Sequence, residues 1–227
     1  MYKKSAKFGF TLAEVLITLG IIGVVAAITI PGLMSAHKAK RLRSQFLKSY
    51  STIQQVFKRM EADDVSTDPT TYATGTFYKT FGQYLQAPRY CYRNAKDVQC
   101  FSGSTSGKQY KSFDGKSNVA YNWFDDGQIA LQDGSLIMFE NYTSIKQLWV
   151  SVDLNGFNNP PNRWGYDLFT FEFLDGELRT MGDFQTKYND INKYCNPKGS
   201  GALNGAACAY RAKSETDYFK KVVSSFK

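Results

Sequence analysis

The stretch Gly9-Phe10-Thr11-Leu12-Ala13-Glu14-Val15-Leu16-Ile17-Thr18-Leu19, continued through Ile21-Ile22-Gly23-Val24-Val25-Ala26-Ala27-Ile28-Thr29-Ile30 to Pro31, decides the fold. Between residues 10 and 36 the only ionisable side chain is Glu14. That run exceeds the ~20 apolar residues that a helix needs to span a bilayer, so it is a membrane helix candidate. A nine-residue leader carrying Lys3, Lys4 and Lys7 precedes it and ends in Gly9, with the apolar run beginning at Phe10.

A secretory signal is cut after its apolar region, which is then discarded. Here the Gly9-Phe10 junction, Thr11-Leu12 and a carboxylate at the fifth position after the glycine resemble the prepilin signature of the type IV pilin and type II secretion pseudopilin family. The resemblance covers about thirty residues and includes Pro31, where many members carry a helix-kinking proline. It implies cleavage after Gly9 by a prepilin peptidase on the cytoplasmic side and N-methylation of Phe10. It also implies that the apolar helix is kept as the filament core. An uncleaved signal anchor explains the length and the leader lysines but not Glu14.

A carboxylate inside a membrane helix costs on the order of 3 kcal/mol near the bilayer centre and points to function. Four residues from the new terminus, Glu14 lies about 6 Å along the helix at ~1.5 Å per residue. A lone subunit can let it snorkel to the headgroups, whereas a packed filament cannot. The partner expected there is the amine of a neighbouring Phe10, a pairing that would set axial register.

Formal net charge is +8 and falls to +5 without the three leader lysines. No Asp or Glu occurs from Val15 to Met60, against seven cations: Lys38, Lys40, Arg41, Arg43, Lys48, Lys58 and Arg59. The remainder of the chain is nearly neutral, so a basic isoelectric point here does not imply a nucleic-acid footprint on the head. The Lys38 to Arg43 cluster reads either as a solvated helix face or as a contact with anionic headgroups. Its four cations outnumber the leader lysines, which alone favours the inverted orientation. The processing signature, which must face the cytoplasm, and the cysteines decide for an extracytoplasmic head.

Ala39, Leu42, Phe46, Ser49, Ile53, Val56 and Met60 recur at spacings of three and four and predict one apolar face on an amphipathic helix over residues 37–62. Pro31 predicts a kink or a locally melted turn. A coiled-coil seam is the competing reading of the stripe, but it has Ala and Ser in only about three heptads. The polar residues 63–69 end the stalk.

Residues 63–227 read as a β-rich head. Segments 128–131 and 136–139 flank Asp133-Gly134, and 168–174 and 177–180 flank Asp175-Gly176, both hairpin signals. Residues 148–154 add a strand. With no βαβ alternation, the expected fold class is α+β: a long N-terminal helix packed on an antiparallel sheet.

Four cysteines allow three connectivities. The expectation is two local bridges, Cys91 with Cys100 and Cys195 with Cys208, placing the head in an oxidising compartment. Cys195 and Cys208 bracket a Gly- and Asn-rich loop and resemble the disulfide-bounded region of many type IV pilins. The spacing at Cys91 lacks the C-x-x-C of zinc or redox sites.

The segment Asp153-Leu154-Asn155-Gly156-Phe157-Asn158-Asn159-Pro160-Pro161-Asn162-Arg163-Trp164-Gly165-Tyr166-Asp167 reads as an Asx/Gly/Pro loop whose oxygens also suit calcium. It is not an EF-hand. It is similar to the calcium loop of major type II secretion pseudopilins, which implies Asp153, Asn155 and Asp167 as ligands. No enzyme is expected: the single histidine, His37, sits at the membrane edge, and no nucleophile or phosphate-loop motif occurs. The reading is a filament subunit that partners itself, other pilins, the prepilin peptidase, an inner-membrane assembly platform and the lipid bilayer. The alternatives are a competence-type pilin that contributes to DNA uptake and a membrane-anchored binding protein that never polymerises.

Overall fold

The computed structural model describes residues 9–91, 100–101, 109–142 and 147–226; the leader lysines lie outside them. One helix, α1 (Leu12–Ala62), runs through 51 residues, about 77 Å at ~1.5 Å rise per residue. Thr11 caps it and the Asp63 N–H closes it on the Arg59 and Glu61 carbonyls. The turn at Pro31 is not melted, because the helical assignment continues on both sides of it. Proline removes one i→i−4 bond, and in a helix this long the turns before and after it keep theirs.

The two halves of α1 differ in what surrounds them. Residues from Leu12 to Met34 carry large apolar side chains open to solvent in the isolated chain, with Leu12 78%, Ile28 75% and Leu33 72% exposed. From Ala39 onwards one face is buried: Ala39, Leu42, Phe46, Ile53, Val56, Phe57 and Met60. Ser49, expected on that face, is only half-buried, and Phe57 takes a place beside Val56 in the core.

That face lies on a six-stranded antiparallel sheet with strand order β1 (Arg89–Cys91), β2 (Gln128–Ala130), β3 (Leu136–Tyr142), β4 (Gln147–Asp153), β5 (Leu168–Leu174) and β6 (Glu177–Thr180). The chain is therefore α+β. The two Asp-Gly turns differ in type. At Asp175-Gly176 both residues have positive φ, 52° and 77°, the two-residue turn that matches strand twist. At the other, the Gly134 N–H bonds the Leu131 carbonyl and the Leu131 N–H bonds the Ser135 carbonyl. With Gly134 at φ 88°, this is a three-residue loop.

Strand alternation splits the core into two layers. Ile137, Phe139, Leu148, Val150, Val152, Phe169, Phe171 and Phe173 face α1, and Phe57 stacks on Phe173 with centroids 3.9 Å apart. On the opposite face Leu136, Met138, Trp149 and Leu168 meet Phe101, Tyr110, Trp123, Phe124 and Trp164, with Trp123 stacked on Trp149 at 4.3 Å. A short helix, α2 (Phe77–Gly82), follows the stalk, and three more close the C-terminal part: α3 (Ile191–Tyr194), α4 (Cys208–Ser214) and α5 (Tyr218–Ser225). Phe219, Val222 and Val223 of α5 join the layer under α1, and Phe46 packs on Phe219 at 5.8 Å.

Candidate functional site: the helix N-terminus and the membrane-proximal loops

At the start of α1, Thr11 and Glu14 satisfy each other. Glu14 Oε2 accepts from the Thr11 N–H and the Thr11 hydroxyl, both at 2.8 Å. The Glu14 N–H donates to Thr11 Oγ1 at 3.2 Å. This is a capping box, in which two backbone donors that helix geometry leaves orphaned are paired reciprocally. Its signal, a threonine followed three residues later by a glutamate, is legible in the sequence. Gly9 and Phe10 precede the cap, and Phe10 is 89% exposed.

The cations beyond the apolar run divide. Arg43 is drawn into the fold, where its Nη1 donates to the carbonyls of Glu215 and Thr216 at 3.1 and 3.2 Å. Lys38 lies over the Tyr166 ring at 5.2 Å. Lys40 and Arg41 are exposed.

The two cysteine pairs are bonded locally, Cys91–Cys100 and Cys195–Cys208, with Cα separations of 6.0 and 4.9 Å. The C-terminal cysteine loop docks against the Asp/Asn loop. Gly205 lies so close to Trp164 that a Cβ there would sit 2.4 Å from the tryptophan Cβ, and a Cβ on Gly165 would sit 2.8 Å from Cys208 Sγ. Two features read separately in the sequence thus form one surface.

Within the Asp/Asn loop, Asp153 and Asp167 are both fully buried. Asp153 Oδ1 accepts from the N–H groups of Asn155 and Gly156 at 3.1 and 2.9 Å, and Oδ2 accepts from the Tyr110 hydroxyl at 2.8 Å. Asp167 Oδ1 and Oδ2 accept from the N–H groups of Arg163 and Asn162 at 2.7 and 3.0 Å. Burial pushes the Asp153 carboxyl up to about 6. Burial, and then the neighbouring Asp153 charge, push Asp167 up to about 8. Two buried like charges disfavour each other's ionisation. Asn155 Nδ2 donates to the Asn159 carbonyl, while its Oδ1 is buried without a partner.

These are hard oxygen donors of the kind calcium takes. Asp153 Oδ2 and both Asp167 oxygens accept one hydrogen bond each and keep a second lone pair, and the orphaned Asn155 Oδ1 adds a neutral oxygen. Calcium takes six to eight oxygens, so backbone carbonyls would supply the rest. Among the described residues no group of three His, Cys, Asp or Glu side chains is assembled.

A 51-residue helix is exposed and apolar over one half and packed on a disulfide-bonded antiparallel head over the other. α1 is the one helix among the described residues long and apolar enough to cross a membrane. Residues 4–30 match the family described as the prokaryotic N-terminal methylation motif, the prepilin-type signature of type IV pilins and pseudopilins. No curated protein and no solved structure matches the chain.

Proposed function

We propose that this chain is a structural subunit of a type IV pilus or type II secretion pseudopilus, cleaved after Gly9, methylated on the Phe10 amine and polymerised through α1. The observation that carries this reading is the helix itself: its first half presents apolar side chains on every side, with none contributed to the head's core. A bilayer covers such a surface before assembly, and the same half-helices of neighbouring subunits cover it in a filament. The methylation motif supports the processing step.

Glu14 then has two states. In the single chain its carboxylate caps α1 through Thr11; in the filament it accepts the charged amine of a neighbouring Phe10, which neutralises two buried charges and fixes register. Glu14→Gln separates these roles, because the amide oxygen still accepts from Thr11 but carries no charge. Glu14→Gln and Glu14→Ala are expected to remain inserted in the membrane yet fail to enter sheared, pelleted filaments. Wild-type incorporation of Glu14→Gln would refute the pairing.

We also propose that Asp153 and Asp167, with Asn155, hold calcium in the extracytoplasmic space. Two buried carboxylates beside an orphaned amide oxygen support it, and bound calcium would neutralise the pair. Calcium at millimolar concentration is expected to raise the Tm of the wild type but not of Asp153→Ala. No shift in the wild type would remove the site.

A further inference from the structure

An open cavity of about 220 Å³ lies where α1 meets the head, lined by Lys38, Pro160, Pro161, Arg163, Tyr166 and Phe226. Its position follows from helix geometry. Lys38 is twenty-eight residues beyond Phe10, about 42 Å along the helix at ~1.5 Å per residue. A bilayer with its headgroups is ~40–45 Å thick, so with Phe10 at the inner polar face, Lys38 stands in the outer headgroup layer. The first buried residue of α1, Ala39, is its neighbour, so with residues 10–36 in the bilayer the cavity is the part of the head nearest the membrane.

Its chemistry is one-signed. Two cations converge on it, and among the described residues no carboxylate lines it. Lys38 Nζ sits 5.2 Å above the Tyr166 ring and the Arg163 guanidinium 4.6 Å above the Phe226 ring, each held by the ring face. The guanidinium also presses on the backbone of Gly115, where a built Cβ would meet Nη2 at 2.4 Å. Arg163 Nε is buried with no hydrogen-bond partner. Prolines and aromatic rings fix the walls. Two cations facing one cavity suit an anion, and arginine's planar donors match phosphate oxygens.

We propose that this cavity binds the phosphate of an anionic phospholipid headgroup in the outer leaflet of the membrane from which α1 emerges. The lipid would orient the head on the bilayer while the subunit waits for assembly, and extraction into a filament would require its release. The proposal rests on the reading that residues 10–36 lie in the bilayer, not on filament formation.

The test uses the full-length chain in nanodiscs of equal parts phosphatidylglycerol and phosphatidylcholine, followed by native mass spectrometry of the lipids it retains. One phosphatidylglycerol per wild-type chain is expected. At about fivefold per cation–headgroup contact, the double variant Lys38→Gln/Arg163→Gln should lose about twenty-five-fold of that preference. Lys40→Gln, at an exposed cation outside the cavity, should keep it, and Arg163→Lys should retain part of it. Equal retention of the two lipids by the wild type would overturn the proposal, as would equal loss in Lys40→Gln. Displacement of the lipid by millimolar inorganic phosphate would assign the cavity to a soluble anion instead. Failure of the wild type to enter these nanodiscs would strike the membrane reading, a separate outcome.

Discussion

At residue 156 the chain has no room for a side chain: Gly156 has φ +80°, and a Cβ there would lie 2.3 Å from the Gly134 carbonyl oxygen. Gly176 shares the positive φ, 77°, but a Cβ there meets nothing closer than Glu61 Oε1 at 3.8 Å. Gly176→Ala is therefore expected to cost only the left-handed backbone penalty, about 1–2 kcal/mol, and Gly156→Ala distinctly more, because two loops must also separate. Urea unfolding of the two variants side by side checks the order. Phe57→Ala removes a ring stacked on Phe173 in the layer under α1 and should cost about 3–5 kcal/mol. The Asp153–Asp167 pair makes a prediction in pH. Both carboxyls are raised in the folded chain, to about 6 and about 8, above the ~3.9 of an unfolded aspartate. The folded state therefore binds these protons more tightly, so the associated stability is full below about pH 4 and declines as pH rises through 6 and 8. In a chelator, Tm should fall between pH 5 and pH 9, and Asp167→Asn should flatten that fall. A flat wild-type profile would contradict the raised carboxyls of this buried pair.

At the scale of elements, the strands and the long helix were legible because their periods are strong. Segments 136–139, 148–154, 168–174 and 177–180 lie within β3 to β6 or one residue beyond, and both Asp-Gly turns join paired strands. The stalk face was legible for the same reason, with Phe57 missed because Val56 already filled the expected position. What was not legible is the layer behind the sheet. Phe101, Tyr110 and Phe124 sit in irregular chain and Trp123 in a single 3-10 turn, with no period of 2 or 3.6, and only the tertiary fold gathers them onto Trp149 and Trp164. The short helices α4 and α5 were also unforeseen, since seven or eight residues carry too few turns to register. Pro31 was expected to kink the helix or melt a turn locally; the turn is not melted, because the cooperativity of a 51-residue helix carries the helix through one missing hydrogen bond. The capping box at Thr11 and Glu14 shows the converse, a pattern present in the sequence and eclipsed by a second role for the same carboxylate. Thr11→Ala should fray the first turn by about 1 kcal/mol and still allow assembly, whereas Glu14→Gln should not; filament yield of the two variants separates capping from pairing.

At the scale of the molecule, one helix serves two environments. Its second half is locked into the head by Phe46, Ile53, Phe57 and Met60, together with the α5 residues Phe219, Val222 and Val223. Its first half is apolar and uncovered, carrying Glu14 near its start. The burial boundary near Ala39 falls a few residues beyond the end of the apolar run, so the head begins where a bilayer would end. That match is why length and hydropathy sufficed to mark off the exposed apolar half of the helix, whereas the cavity at Lys38 and Arg163 appears only when the loop after Asp153 folds back to the helix. The central claim, that the leader is removed and the helix retained, is tested most directly by the intact mass and N-terminal sequence of the protein extracted from the membranes of its native host. The account predicts a chain beginning at N-methylated Phe10; a chain that still carries the Lys3, Lys4 and Lys7 leader would contradict it and leave a signal anchor in place of a filament subunit.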